Sequence, residues 1–134
     1  MKKASNMKYK IVEKILLSKP ESWKDFPFGP DVAVFKVKNK MFATLGYNNN
    51  IVNMNLKCEP YRAAALRDVY DAVIPGYHMN KLHWNTVILD DSISQKEIKK
   101  MIDHSYALVV KGLKKVEKTA LLLAYSEEEI FKEL

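Results

Sequence analysis

Hydrophobic residues with helical spacing open the chain. In residues 7–17, Tyr9, Val12 and Leu16 recur every three or four positions and form one stripe, while lysines lie largely on the opposite side. This pattern predicts a helix with a solvated basic face, although a binding face is the alternative. The proline-rich stretch 27–30 predicts turns after it.

A period of two replaces the helical spacing from Val32 onward. Apolar and polar residues alternate, which predicts strands at 32–37, 41–45 and 52–57, with turns at 38–40 and 48–50. The last strand alternates most cleanly, with Val52, Met54 and Leu56 on one side and Asn53, Asn55 and Lys57 on the other. We therefore expect an antiparallel meander with one face on the core and one polar face.

Helical and strand signals then mix along the second half of the chain. A helix is predicted from Pro60, a strand over 84–89, and a helix that Ser94 and Glu97 cap and Gly112 ends. The order of elements indicates an α+β fold in which helices pack on one face of an antiparallel sheet. We predict a domain over residues 1–112 and a C-terminal helical tail over 113–134.

Length and composition fit one globular domain. The chain has 134 residues, of which 48% are hydrophobic and 28% charged, so disorder of the whole chain is excluded. Its one cysteine, Cys58, cannot form an intrachain disulfide, and no apolar run approaches the ~20 residues of a membrane span. We expect a cytoplasmic protein that does not bind membranes.

Positive charge is concentrated at the start of the chain. The net charge is +6, and residues 1–20 hold six lysines and one glutamate. A basic chain of this size is compatible with nucleic acid, but it is also common among proteins that bind none.

Catalytic and metal-binding patterns are weak. His78 and His83 lie five residues apart without a carboxylate between them, His104 is expected to be a surface or packing residue, and Cys58 a buried structural one. The four glycines are isolated, so there is no phosphate-binding loop. We expect no cofactor, no metal and no catalytic group.

The polar sides of the predicted strands suggest a binding surface. Lysine can pair with phosphates, asparagine can bind base edges and tryptophan can stack on a base. An ordinary solvated sheet face is the equal alternative. The residues concerned are Lys36, Lys38, Asn53, Asn55, Lys57, Trp84 and Thr86.

Several motifs resemble one known family. The sharpest is Pro-Gly-Tyr-His-Met-Asn-Lys at residues 75–81, and further matching segments lie at 26–31, 34–37, 40–43, 52–60, 83–84, 86–87, 105–106 and 108–109. The chain is identified by them, over about residues 8 to 112, as similar to the YjbR/MmcQ family of small bacterial proteins.

The resemblance implies a fold and an activity. The fold is a frataxin-like, or CyaY-like, two-layer α/β sandwich, and the activity is DNA binding by a "double wing" arrangement. Frataxins bind iron through acidic residues of the first helix, whereas the first helix here carries Lys8, Lys10 and Lys14 against Glu13. That departure argues against iron delivery.

Three functions follow as hypotheses. The first is non-enzymatic DNA binding by the polar sheet face and the 75–81 loop. The second is a protein-interaction module centred on Trp84. The third is a small-molecule or enzymatic site around His78 and Lys81. The DNA-binding hypothesis uses Lys36, Lys38, Asn53, Asn55, Lys57, His78, Asn80, Lys81, His83 and Trp84.

Overall fold

The computed structural model describes residues 2–76 and 79–134. Its described helices are α1 Lys2–Leu17, α2 Pro60–Val69, α3 Gln95–Lys111, α4 Lys115–Ala124 and α5 Glu127–Ile130. Its described strands are β1 Ser22–Asp25, β2 Val32–Val37, β3 Lys40–Asn48, β4 Ile51–Lys57, β5 Val73–Pro75 and β6 Trp84–Ile88. The strands form one antiparallel sheet in the order β1-β2-β3-β4-β6-β5. The α+β class and the antiparallel sheet are therefore as predicted.

Helices α1 and α3 cover one face of the sheet, which we call the inner face. Val12 and Leu16 of α1 and Ile98, Ile102 and Tyr106 of α3 are fully buried in one core cluster. The sheet supplies alternate residues of its strands to the same cluster, including Phe35, Val37, Leu45, Val52, Met54, Leu56 and Val87. In each alternating strand, the apolar residues are therefore the ones that face the helices.

A β-bulge breaks the alternation between β2 and β3. The register shifts between Phe35 and Lys36, so that Phe42 and its neighbour Ala43 are both buried. Phe42 meets Tyr106 of α3 edge-to-face, with ring centroids 5.4 Å apart. The extra residue thus inserts an aromatic ring into the core without moving the rest of β3 to the wrong face.

Three predicted helix ends are present, at Pro60, Ser94 and Gly112. Glu59 caps α2, Pro60 occupies its first turn, and Gly112 ends α3. The Ser94 hydroxyl accepts a hydrogen bond from the Glu97 amide at 3.3 Å. The reciprocal bond that completes a capping box is formed at Ser126 and Glu129.

Two short strands were not predicted. β1 lies at one edge of the sheet, paired with β2, and β5 lies at the other edge, paired with β6. With four and three residues, neither is long enough to show a clear alternation in the sequence.

The C-terminal segment packs onto the same core. Leu121 of α4 and Ile130 of α5 are fully buried in the cluster that α1, α3 and the sheet form. Within the described ranges, no helix is both long and apolar enough to span a bilayer.

Candidate functional site

The register of the strands gathers the predicted polar residues of β2, β4 and β6 on one face of the sheet, opposite the helices. Asn55 pairs with Thr44 and Thr86, Asn53 pairs with Gly46 and Ile88, and Lys57 pairs with Trp84. Residues directly opposite each other in a sheet share a face. We call this surface the outer face.

A cleft of about 790 Å³ opens on the outer face. Phe28, from the loop between β1 and β2, Met79, which precedes β6, and Gly46 of β3 are among its lining residues. Its lining contains no lysine, arginine, aspartate, glutamate or histidine among the described residues. That lining is Phe28, Val32, Met41, Thr44, Gly46, Tyr47, Asn48, Asn53, Asn55, Ile74, Met79, Thr86 and Ile88.

Three polar side chains form a hydrogen-bonded row across the cleft. The Asn55 amide nitrogen donates to the Thr44 hydroxyl at 2.9 Å, and the Thr86 hydroxyl donates to the Asn55 carbonyl oxygen. Thr44 and Thr86 are buried. Because Asn55 is held on both sides, it forms part of the floor rather than a freely rotating group that could read a ligand.

Asn53 differs from Asn55. Its side-chain carbonyl oxygen is buried and accepts no hydrogen bond from the described residues. An unpaired buried acceptor costs about 1–3 kcal/mol, so the Asn53 amide is the polar group of the cleft for which a hydrogen-bond partner is most favourable.

Lysines and tryptophans flank one end of the cleft. Trp23 lies opposite Lys36, and Lys57 lies opposite Trp84. The Lys36 ammonium is 5.2 Å from the centre of the Trp23 ring and 2.9 Å from an Asp25 carboxylate oxygen. That hydrogen bond is the main reason why the pKa of Asp25 lies below its ordinary value. No salt bridge between described residues involves Lys57. We call these four residues the Lys–Trp row.

Lys38 does not belong to this surface. It lies in the turn between β2 and β3, with a positive φ of 54°, and its ammonium is 3.0 Å from a Glu21 carboxylate oxygen. Lys38 therefore lies in the turn predicted over 38–40, and it does not continue the alternation of β2, because the strand ends at Val37.

Polar side chains of the loop before β6 bond to the loop itself, and the main chain of the loop bonds to the sheet. The side-chain oxygen of Asn80 accepts a hydrogen bond from the Leu82 amide at 3.0 Å. The Lys81 ammonium donates a hydrogen bond to the Gly76 carbonyl at 3.2 Å. The His83 carbonyl accepts from the Cys58 amide at 2.8 Å. His78, the remaining predicted residue of the loop, lies outside the described residues.

Gly76 has a steric requirement at the start of this loop. A Cβ there would lie 2.8 Å from the Trp84 Cβ and 2.9 Å from the Trp84 carbonyl oxygen. The loop can therefore approach the sheet this closely only because residue 76 is glycine.

The other candidate groups are structural. Cys58 is buried, and burial raises the pKa of its thiol to about 11, so the nucleophilic thiolate is scarce at neutral pH. His104 is buried and fully hydrogen-bonded rather than exposed. Among the described residues, no three potential ligands come together in a way that could hold a metal ion.

Sequence reasoning missed most of the lining of the cleft. Thr44 could have been found, because it alternates with the buried Ala43 and Leu45. Ile74 and Phe28 could not, because Ile74 lies on the short edge strand β5 and Phe28 lies in the loop between β1 and β2.

Comparison with known proteins places this geometry in a family. A family model described as YjbR matches residues 17–108. The chain belongs to the YjbR family. The matched segment contains β1 to β6 and most of α3, and so includes the whole outer face.

Two named proteins are similar to this chain over about two thirds of its length. "Uncharacterized protein YbdF" of Escherichia coli O157:H7 is 38% identical over 90 residues, which cover 67% of this chain and 74% of that protein. "Uncharacterized protein YjbR" of Escherichia coli K12 is 38% identical over 88 residues, covering 66% and 74%.

Solved structures share the fold. The crystal structure of Deinococcus radiodurans protein DR2400, with family-model domain DUF419, matches at 34% identity and a TM-score of 0.76, covering 82% of this chain and 84% of that one. A crystal structure of a Pseudomonas syringae protein matches at 31% identity and a TM-score of 0.63, covering 74% and 95%.

Proposed function

We propose that this YjbR-family protein binds single-stranded DNA without catalysis, through the outer face of its sheet. In this proposal a base enters the cleft and the phosphates meet the lysines beside it. The observation that carries the proposal is that an uncharged, mostly apolar cleft adjoins the Lys–Trp row. Sites for single strands combine such aromatic and apolar platforms with cations along the backbone.

The shape of the surface favours a single strand over a duplex. Duplex recognition commonly places a helix or a β-ribbon in the major groove, whereas here the polar groups lie at the bottom of a concave sheet face. Only an unpaired base can leave its neighbours and bring its edge to the Asn53 amide.

The chemistry of the cleft favours binding over catalysis. Of its described lining residues only Tyr47 is titratable, and the Tyr47 hydroxyl donates to the Asn6 side chain at 3.0 Å. A general acid or base within reach of a substrate is therefore missing from the described lining.

Fluorescence anisotropy with labelled single- and double-stranded oligonucleotides across a salt series tests the proposal. Lys36 and Lys57 can neutralise two phosphates, so log K is expected to fall with log salt with a slope of about −1.4 for single strands. Lys57→Glu should weaken binding and make the slope shallower. Trp84→Ala should weaken it by about 5- to 150-fold, the cost of one lost base–aromatic contact.

Lys10→Glu is the matched control. It makes the same change of charge at an exposed lysine of α1, in the layer that covers the inner face. The proposal requires that Lys57→Glu weakens binding much more than Lys10→Glu. Equal effects, or affinity that does not change with salt, would contradict it.

Two alternatives use neighbouring groups. A protein-interaction module centred on Trp84 is favoured by the exposed rings of Trp23 and Phe28 on the same face, since aromatic anchors dominate such interfaces. Capture of a protein partner that Trp84→Ala abolishes, without any DNA binding, would select it. A small-molecule site at His78 and Lys81 is less favoured, because the Lys81 ammonium is bound to the Gly76 carbonyl.

We also propose that the architecture is the frataxin-like sandwich with a "double wing" arrangement. Support comes from α1 and α3, two long helices that pack on one face of the antiparallel sheet. Superposition of an experimental structure of this protein on a frataxin tests that likeness.

A further inference from the structure

Helix α4 carries an apolar stripe on its solvent side. Val116 and Leu123 are 75% and 85% exposed, although Leu121 of the same helix is fully buried in the core. Val116, Ala120 and Leu123 recur at four and three positions, so they lie on one side of the helix. This stripe is left unpartnered by the rest of the described chain.

Opposite charges flank the stripe. Exposed lysines 111, 114 and 115 lie at its N-terminal end, and exposed glutamates 127 and 128 follow its C-terminal end. No salt bridge between described residues involves any of these five. The two ends are separated by the length of α4, roughly 15 Å for ten residues.

The lysines at the start of α4 are not explained by the helix itself. Lys114 is the N-cap residue and makes no side-chain capping bond, and Lys115 is the first residue of the helix. The positive end of the helix dipole lies there, so cations are unfavourable and a capping side chain would be stabilising.

We infer that α4 is the contact surface of a symmetric homodimer. Two copies related by a twofold axis pack their Val116–Leu123 stripes antiparallel. The basic end of each stripe then meets the acidic end of the other, because a twofold interface must be complementary to itself. The lysines at the start of α4 then lie next to the glutamates of the second copy.

Sedimentation velocity over a concentration series in low salt, without nucleic acid, tests this inference. The wild-type sedimentation coefficient is expected to rise with protein concentration, and less so in high salt, which screens exposed charges. Leu123→Ser should reduce the self-association. Because Leu123 is so exposed, this change should leave the thermal unfolding midpoint of the monomer nearly unchanged.

Charge reversal gives a sharper test. The variant Lys114→Glu/Lys115→Glu places like charges at both ends of its own dimer, and so does Glu127→Lys/Glu128→Lys. Each alone should remain a monomer at concentrations at which the wild type associates. An equimolar mixture of the two should dimerise again, because both ends are then complementary.

The concentration series and the mixing experiment together decide whether α4 forms this contact. Restored association in the mixture supports the antiparallel contact at α4. Monomeric wild-type protein throughout the series, or single variants that associate as the wild type does, would overturn the inference. Neither result bears on the binding of DNA by the outer face.

Discussion

A buried ion pair joins the turn after α1 to α3. The Lys19 ammonium is 2.7 Å from one carboxylate oxygen of Asp103, and both side chains are only 6% exposed. Lys99 donates to the other Asp103 oxygen at 3.1 Å, and the Lys19 ammonium lies 5.1 Å from the centre of the Tyr106 ring. Burial is the main reason why the pKa of Lys19 is lowered.

Replacing Asp103 by asparagine should be strongly destabilising. The change leaves the Lys19 charge buried without a counterion, which typically costs about 3–5 kcal/mol of the free energy of unfolding. Urea denaturation measures it. Lys99→Ala is the control, since Lys99 is half exposed and an exposed pair contributes about 1 kcal/mol or less. Equal losses from the two variants would show that Asp103 has no special role.

Single residues on the outer face were predicted only in part. The alternation of β4 correctly places Asn53, Asn55 and Lys57 on one side, because side-chain direction in a strand follows from sequence alone. It could not tell that Asn55 is held by two threonines whereas the Asn53 oxygen is unpaired. That difference depends on which residues lie opposite in the neighbouring strands.

At the scale of elements, the chain end is tied to helices α2 and α3 through His104. The Nε2 atom of His104 accepts from the Glu59 amide at 3.2 Å, and its Nδ1 atom lies 2.6 Å from the Glu133 carbonyl. These partners require the neutral ring with its proton on Nδ1. The Arg62 guanidinium also donates to the Glu133 carbonyl at 3.0 Å and to its carboxylate at 3.2 Å.

The stability of the fold should therefore decrease as the pH falls below neutrality. Burial is the main reason why the pKa of His104 lies below its ordinary value. On acidification the unfolded chain protonates this histidine first, near pH 6.5, whereas the folded protein does so only at lower pH. The free energy of unfolding therefore decreases as the pH falls below about 6.5, by at most about 1.4 kcal/mol per pH unit. Urea denaturation between pH 7.5 and 5.5 measures the slope.

His104→Gln isolates this contribution. The variant should be less stable at pH 7.5, yet its stability should change less over the same range, since His78 and His83 are retained. Glu59 faces the ring too, but the amides of Arg62 and Tyr61 lower its pKa, which keeps its titration below the range. The same slope in both proteins would assign the pH dependence to other groups.

Elements were predicted where their patterns are long. Helices α1 and α3 and strands β2, β3, β4 and β6 all carry enough residues for a period to be visible. β5 consists of Val73, Ile74 and Pro75, and it exists because β6 offers a partner next to it. Short edge strands depend on tertiary context, which a single sequence does not display.

At the scale of the whole molecule, the C-terminal segment, residues 113–134, is part of the same hydrophobic core as the sheet. Ile130 is fully buried, so Ile130→Ala should lower the free energy of unfolding by about 2–5 kcal/mol. Leu123→Ala is a matched control at an exposed position, where a change within about 0.5 kcal/mol is expected. Chemical denaturation of dilute protein measures both, and equal effects would show that the segment adds nothing to the core.

The two edges of the sheet limit how other chains can join it. β1 has four residues with Lys24 and Asp25 at its end, and β5 has three residues and ends at Pro75, which has no amide hydrogen to donate. Short strands, charged residues and proline are the features that prevent strand-by-strand growth into fibrils. The sheet can therefore leave one broad face uncovered by helices without becoming a template for aggregation.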